Sequence, residues 1–362
     1  MKIILFLALL VFLSPAALQA APVELHSGEV PVADQGPAER ERALPQALRQ
    51  VLQKLSGLRS FEAYPLLEPA LEQASGMLVS YYYRNAPVPL ADGSEASELR
   101  LVARFSPAAV DELARSLQLP LWQPERPELL TWLIVDDGVD RRIMPVEFQY
   151  VRDSMADAAA QRGLPLKWPE PGPEGEWDVD PQILWGGYTE DLETPENEGV
   201  MIAAARREGA QWGVRVNLGY RGQYWAWRVE DFDLQAAMST ALHDAVDQVA
   251  AANTIAATDL GSWEQTLTVA GLRGAADYQR CLAYLQSISV VDAVDIVSAQ
   301  PGVVTFRLAL NALPRHLEES LGKGGVLEWQ ASETRYRLLG AAQEPQATRR
   351  PRLDETSSSD DG

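Results

Sequence analysis

From residue 263 to residue 310 the chain reads WEQTLTVAGLRGAADYQRCLAYLQSISVVDAVDIVSAQPGVVTFRLAL. Trp263–Val269 reads as a strand. In Ala275–Ile288 the residues Tyr278, Cys281, Leu282, Leu285 and Ile288 recur at helical spacing. Val294–Ala299 and Val303–Leu310 form the arms of a hairpin, and Pro314–Leu321 reads as a second helix. Gly325–Gln330 follows as a short strand, with Tyr336–Leu339 beyond it. The order β-α-β-β-α-β over 262–340 is the ferredoxin-like pattern. Cys281 falls on the apolar face of the first of these helices, which predicts a buried thiol used for packing rather than for chemistry.

Upstream, 128–258 reads as an α/β unit. It opens with the apolar run Leu129–Val135, a buried strand, followed by a helix at Phe148–Arg162 and an exposed Pro-, Gly- and acid-rich loop at Pro165–Pro181. Ile183–Tyr188 is expected as a strand, Val200–Glu208 as a helix and Leu234–Ala252 as a closing helix. Between the last two, Val214–Tyr220 and Gln223–Val229 flank Arg221-Gly222. A two-residue turn there pairs Leu218 with Trp225, Val216 with Trp227 and Val214 with Val229 on one face. Arg215, Asn217, Tyr224 and Arg228 then share the other.

The first unit, 22–124, shows a strand at Glu24–Val32. In the helix Ala43–Leu55, Leu44, Ala47, Leu48, Val51, Leu52 and Leu55 share a face, and Gly57 stands just past the end. Pro45 then belongs in the first turn or at a kink. A helix at Leu66–Leu78 and strands at Val79–Arg84 and Leu99–Phe105 follow. Ser106-Pro107 is the expected cap and first-turn proline of a helix at Ala108–Leu117. Pro120–Pro127 reads as a linker. Taken together, the chain is expected to be an α+β protein of several modules. A ferredoxin-like C-terminal unit and a similar α+β N-terminal unit lie around an α/β middle unit.

The ends have a different character. Lys2, the apolar stretch Ile3–Leu13, Ser14-Pro15 and the small residues to Ala20 have the layout of a secretory signal over 1–20. The apolar run is too short for a bilayer, which needs roughly 20 residues. Loss of Lys2 with the signal takes the formal charge from −20 to −21. The tail 341–362 is almost devoid of apolar residues and is expected to be disordered. Its Arg349-Arg350-Pro351-Arg352 is the one basic cluster.

Composition limits the chemistry. The chain of 362 residues has 31 Lys+Arg against 51 Asp+Glu, one Cys and three His. One Cys forms no intramolecular disulfide and builds no zinc or iron–sulfur site. The strongly negative balance opposes phosphate backbones and anionic membranes. Lys occurs only at positions 2, 54, 167 and 323, so 27 of the 31 basic residues are Arg.

Asp136-Asp137-Gly138-Val139-Asp140 follows the buried strand Leu129–Val135, where ligands of α/β sheets gather, and Asp136, Asp137 and Asp140 are the candidate Mg²⁺ or Ca²⁺ ligands. Their spacing fails the calcium-loop pattern, and Asp-Gly is also a turn dipeptide. Trp225 and Trp227 are the candidate ligand platform, with core packing as the simpler account. His243-Asp244 is a dipeptide that metal-dependent phosphohydrolases also carry, but His26 and His316 fall in other units. The serines lack a G-x-S-x-G setting, and neither Gly271–Gly274 nor Gly322–Gly325 matches a phosphate-binding fingerprint.

Leu25–Val32, Arg42-Ala43-Leu44, Ala47-Leu48-Arg49-Gln50-Val51-Leu52 and Leu55-Ser56-Gly57 resemble the family called domain of unknown function 2066. Leu99–Phe105, Leu119-Pro120-Leu121-Trp122 and Trp132–Gly138 extend the likeness, while Pro45 and Gly209-Ala210-Gln211 depart from it. The resemblance implies an exported proteobacterial protein without assigned activity, and it brings no catalytic residues. The expectation is a non-enzymatic periplasmic binding or adaptor protein of the cell envelope, with an envelope protein as partner and without cofactor, nucleic acid or integral membrane segment. The alternative is a metal-dependent hydrolase built on Asp136, Asp137 and Asp140.

Overall fold

The computed structural model describes residues 24–89, 94–124, 126–194, 197–323 and 325–340. The expected signal at 1–20 and tail at 341–362 lie outside them. The protein is an α+β protein divided into two compact units, Met1–Ala257 and Thr258–Gly362.

The first unit begins with β1 (Ser27–Pro31), α1 (Pro37–Ser56), α2 (Leu67–Leu71), α3 (Ala74–Met77), β2 (Leu78–Pro89), β3 (Glu95–Phe105) and α4 (Pro107–Ser116). The strands form an antiparallel sheet in the order β1-β3-β2. The apolar stripe expected on α1 is buried, from Ala43 and Leu44 to Leu55, and Gly57 ends the helix at φ 72°, a conformation open to glycine. The helix starts earlier than its apolar stripe suggests, with Pro37 in its first turn, so Pro45 lies inside it. The single helix expected at 66–78 is instead the pair α2 and α3. Pro69, Ser75 and Gly76 are weak helix formers, and the chain turns between the two at Glu72-Gln73.

The unit continues with β4 (Leu121–Trp122), β5 (Leu129–Asp136), β6 (Arg141–Ile143), α5 (Gln149–Arg162), β7 (Leu166–Lys167), α6 (Pro181–Gly186), β8 (Gly199–Glu208), β9 (Gln211–Tyr220), β10 (Gln223–Asp231), α7 (Leu234–Asn253) and β11 (Thr254–Ile255). A mixed sheet runs β10-β9-β8-β5-β6, with β5 parallel to β8 and to β7. Three local expectations are corrected here. Val200–Glu208 is a strand, not a helix. Val200 to Ala205 are buried on both faces of the sheet, and such a strand shows no two-residue rhythm to distinguish it from an Ala-rich helix. Ile183–Tyr188 is not a strand, because Asp180 accepts the amide of Gln182 and starts α6. Pro120–Pro127 is no free linker, since β4 pairs with β11 and Trp122 is fully buried.

The hairpin has the register read from the sequence, with Trp225 opposite Leu218, Trp227 opposite Val216 and Val229 opposite Val214. Arg221 and Gly222 both take positive φ (50° and 72°), as a type I′ turn requires.

Arg162, at the end of α5 and almost wholly buried, ties this unit together. It donates to the Gly57 carbonyl beyond α1 (2.9 Å), to Asp247 of α7 (2.6 Å) and toward His243 Nδ1 (3.4 Å). Arg59 reaches Asp244 and Asp247 from the same corner. Nearby, the ammonium of buried Lys54 in the last turn of α1 donates to the carbonyls of Ser27 (2.8 Å) and Glu24 (3.4 Å).

The second unit comprises β12 (Leu260–Ala270), α8 (Ala275–Ser287), β13 (Val291–Gln300), β14 (Val303–Ala312), α9 (Pro314–Lys323), β15 (Leu327–Gln330) and β16 (Arg335–Leu338). The sheet order is β13-β14-β12-β16-β15. The plain ferredoxin-like pattern sets an antiparallel fourth strand beside the first. Here β15 lies outside, and β16 returns parallel to β12. Phe306, Leu308 and Leu310 of β14 are buried together with Cys281 and Leu285 of α8 and Leu317 and Leu321 of α9.

Two pH effects follow. Burial pushes the Lys54 ammonium down to about 8 from 10.5, so the unfolded chain binds the proton more tightly between those values. Stability should therefore rise as pH increases from 8 to 10.5, by up to about 1.4 kcal/mol per unit. Comparing urea midpoints with Lys54→Met, which should lack this rise, checks it. Burial, and then Arg162 and Arg59, hold the His243 imidazole below its ordinary 6.5. The native state then takes up this proton less readily than the unfolded chain, so stability should fall as pH drops below about 6.5. In His243→Gln thermal melts that acid slope should be shallower.

Candidate functional site

The acidic loop after β5 is built as a turn. Asp136 Oδ1 accepts the Gly138 amide (3.1 Å), while its Oδ2 lies 3.3 Å from Arg206 and 3.5 Å from Arg141. Asp137 Oδ1 accepts the amides of Val139 (2.9 Å) and Asp140 (3.0 Å), and Arg142 takes Oδ2. The amides of Asp140 and Val139, ahead of Arg142, hold the Asp137 carboxyl below its usual range. Asp140 is exposed. Among the described residues no three His, Cys, Asp or Glu side chains stand close enough to share a metal ion.

Trp225 and Trp227 are half-buried on the sheet face packed against α7. The opposite face carries a shallow pocket of about 440 Å³, bounded by Gly187, Tyr188, Thr189, Asn217 and Tyr224 and by the chain at Trp225. The structure thus sets Trp227 in the core layer and brings only Trp225 to the pocket's edge. Asn217 Oδ1 is buried there without a hydrogen-bond partner among the described residues.

Other reactive side chains are already engaged. His26 contacts Asp111 at 3.0 Å. His316 contacts Asp259 at 3.0 Å, and His316 followed by Arg315 lowers the Asp259 carboxyl. Cys281 is fully buried, and burial pushes its thiol up to about 11. His243 and Asp244 belong to the Arg162 corner described above.

The second unit holds a site that the sequence reading passed over. A groove of about 470 Å³ runs between β12, α9 and the β15–β16 hairpin, lined by Gln265, Leu267, Leu317, Leu321, Trp329 and Tyr336 among others. The rings of Trp329 and Tyr336, cross-strand neighbours, lie 4.9 Å apart and form one wall. Trp329 remains 51% exposed and Trp263 on β12 44%, high values for indoles. The main chain of β12 forms the other wall. Between Trp263 and Thr268 it pairs with β14 on one side, and its pairing with β16 is confined to Val269 and Ala270. The sequence signal was the pair of aromatic residues, Trp329 and Tyr336, inside two very short strands.

Residues 20–123 match the model of a family described as Domain of unknown function (DUF8605). This corrects the expected membership in family 2066. The features behind that expectation, an apolar helix stripe ending at glycine and short apolar strands, are what any helix-on-sheet module needs in order to bury a core. No curated protein matches the chain. Solved structures similar in part include a ribosomal subunit interface protein from Coxiella burnetii, at 10% identity and TM-score 0.20 over 34% of this chain and 96% of that one. The Protein Y N-terminal domain from Thermus thermophilus aligns at 13% identity and TM-score 0.19 over 35% and 98%. Scores this low define no shared fold.

Because arginines and main-chain amides already hold Asp136 and Asp137, millimolar Mg²⁺, Ca²⁺ or Mn²⁺ should leave the melting temperature within a degree of the chelated protein. A rise of several degrees that Asp137→Asn abolishes would show a metal site in the loop.

Proposed function

We propose that this is an exported, non-catalytic protein of the cell envelope that acts as a binding or adaptor protein. The observation that carries the proposal is the groove of the second unit, an exposed aromatic wall facing an incompletely paired strand. Its lining offers apolar surface and main-chain hydrogen-bonding groups, with no cysteine, histidine or serine among the described residues bordering it. Such a surface suits recognition by contact. The layout of residues 1–20 supports export, and among the described residues no helix is long and apolar enough to cross a membrane.

The test is to express the chain with its own residues 1–20 in a Gram-negative host and fractionate the cells. A photo-cross-linking residue in place of Trp329 reports contacts in the cell. Recovery in the periplasmic fraction, shortened by the signal and cross-linked to an envelope component, is the expected result. Retention in the cytoplasm at full length would overturn the proposal.

A further inference from the structure

We propose that the open edge of β12 is a strand-addition site. An extended segment of a partner polypeptide, alternating apolar and basic side chains, lies along Trp263–Thr268 and continues the sheet there. This names the partner chemistry of the groove and rests on the binding role proposed above.

Three observations lead to it. The first is the edge itself. A strand paired on one side presents a row of amide and carbonyl groups to the other, and proteins normally guard such rows. The guards are visible elsewhere in this chain. β1 ends in Pro31, and β2 carries Pro87. β13 has register shifts at Val291/Ala293 and Ile296/Ser298 and exposed acids at Asp292 and Asp295, while β15 spans only Leu327–Gln330. From Trp263 to Thr268, β12 has no proline, no register shift and one charged residue, Glu264.

The second observation is that the two faces beside this edge differ. Gln265 and Leu267 lie opposite Leu308 and Phe306, on the face covered by the helices, and Leu317, Leu321 and Tyr336 border the groove on that side. Thr266 and Thr268 lie opposite Arg307 and Thr305 on the open face, where the hydroxyls of Thr268 and Thr305 are 3.2 Å apart. An added strand turns alternate side chains to these two surfaces, so it must be apolar at every second position and polar between.

The third observation is charge. Glu264 shares the open face with Thr266 and Thr268, is the charged residue of β12 within the site, and has no ion-pair partner among the described residues. The polar position of the partner beside Glu264 is therefore best filled by Lys or Arg. A second copy of this protein brings another Glu264 and no basic residue along Trp263–Thr268 to a two-fold pairing of β12 edges, which opposes that pairing.

The test uses the purified full chain and a synthetic nonapeptide alternating valine and lysine. Calorimetry should show binding. Hydrogen exchange should slow in the segment containing Trp263–Thr268 and not in β13. Methylating alternate backbone nitrogens of the peptide should weaken binding at least tenfold, because main-chain bonds carry it. The variant Glu264→Lys should lose the lysine peptide about tenfold and gain its valine–glutamate counterpart, an exchange that loss of folding cannot produce.

Lack of binding at 1 mM, equal binding of the methylated peptide, or protection at β13 instead would overturn the proposal. So would concentration-dependent dimerisation that protects β12 without peptide, which would assign the edge to a second copy. The measurement is made on purified protein. A failure of export therefore leaves it standing, and its own failure leaves export standing.

Discussion

The first unit depends on where the guanidinium of Arg162 points. α1, α5 and α7 converge near the end of α1, where Gly57 leaves a buried carbonyl that no further helical turn can satisfy. Arg162 supplies that bond, and with its other nitrogens it holds Asp247 and approaches His243. A lysine could not replace it, since a single ammonium cannot hold a carbonyl, a carboxylate and an imidazole in a fixed planar fork. Removing one member of a fully buried pair typically costs about 3–5 kcal/mol, and here the cost is reduced because Asp247 retains about a third of its exposure. Burial first, and then the neighbouring cations Arg162 and Arg59, lower the proton affinity of His243 in the same corner.

Arginine serves a second purpose that explains the scarcity of lysine. Guanidiniums stack over aromatic rings at Arg126 on Trp122 (3.9 Å), Arg141 on Trp185 (3.7 Å), Arg40 on Tyr81 (4.7 Å) and Arg152 on Trp168 (4.9 Å). A planar cation lies flat on a ring while its edge still reaches a carboxylate or carbonyl, as Arg126 does to the Lys54 carbonyl and Arg141 to Asp136. Many of the basic residues are therefore committed to rings and acids of the fold, while many of the 51 acids remain at the surface. This also explains why Asp136 and Asp137 look like metal ligands in the sequence and serve as arginine anchors in the structure.

What could be read from the sequence followed from how much each segment is constrained by itself. The β9–β10 hairpin was legible down to its register because a two-residue turn fixes pairing and the pleat fixes the faces. The stripe of α1 was legible because one face is buried and the other wet. β8 was not, because a strand covered on both sides by the core has the same composition as a buried helix. Trp122 was hidden for another reason. It stands among prolines, which read as a linker, and its burial comes from pairing with Thr254, far along the chain. The groove of the second unit lay beyond reach in the same way, since its walls come from β12, α9 and β16, and only the sheet topology brings them together.

That topology also accounts for the open edge. After α9, a chain completing the βαββαβ pattern would run antiparallel to β12 along its whole length and cover it. Here the segment after α9 becomes β15 on the outside, turns at residues 331–334 and comes back as β16. Because β16 runs parallel to β12 and begins only at Arg335, it reaches β12 at Val269 and Ala270 and leaves the preceding residues to β14 alone. The reversal that places Tyr336 against Trp329 is thus the same event that leaves Trp263–Thr268 half-paired. The aromatic wall and the exposed main chain are two results of one turn. A sequence change that lengthened β16 backward through the turn would close the edge and remove the groove together.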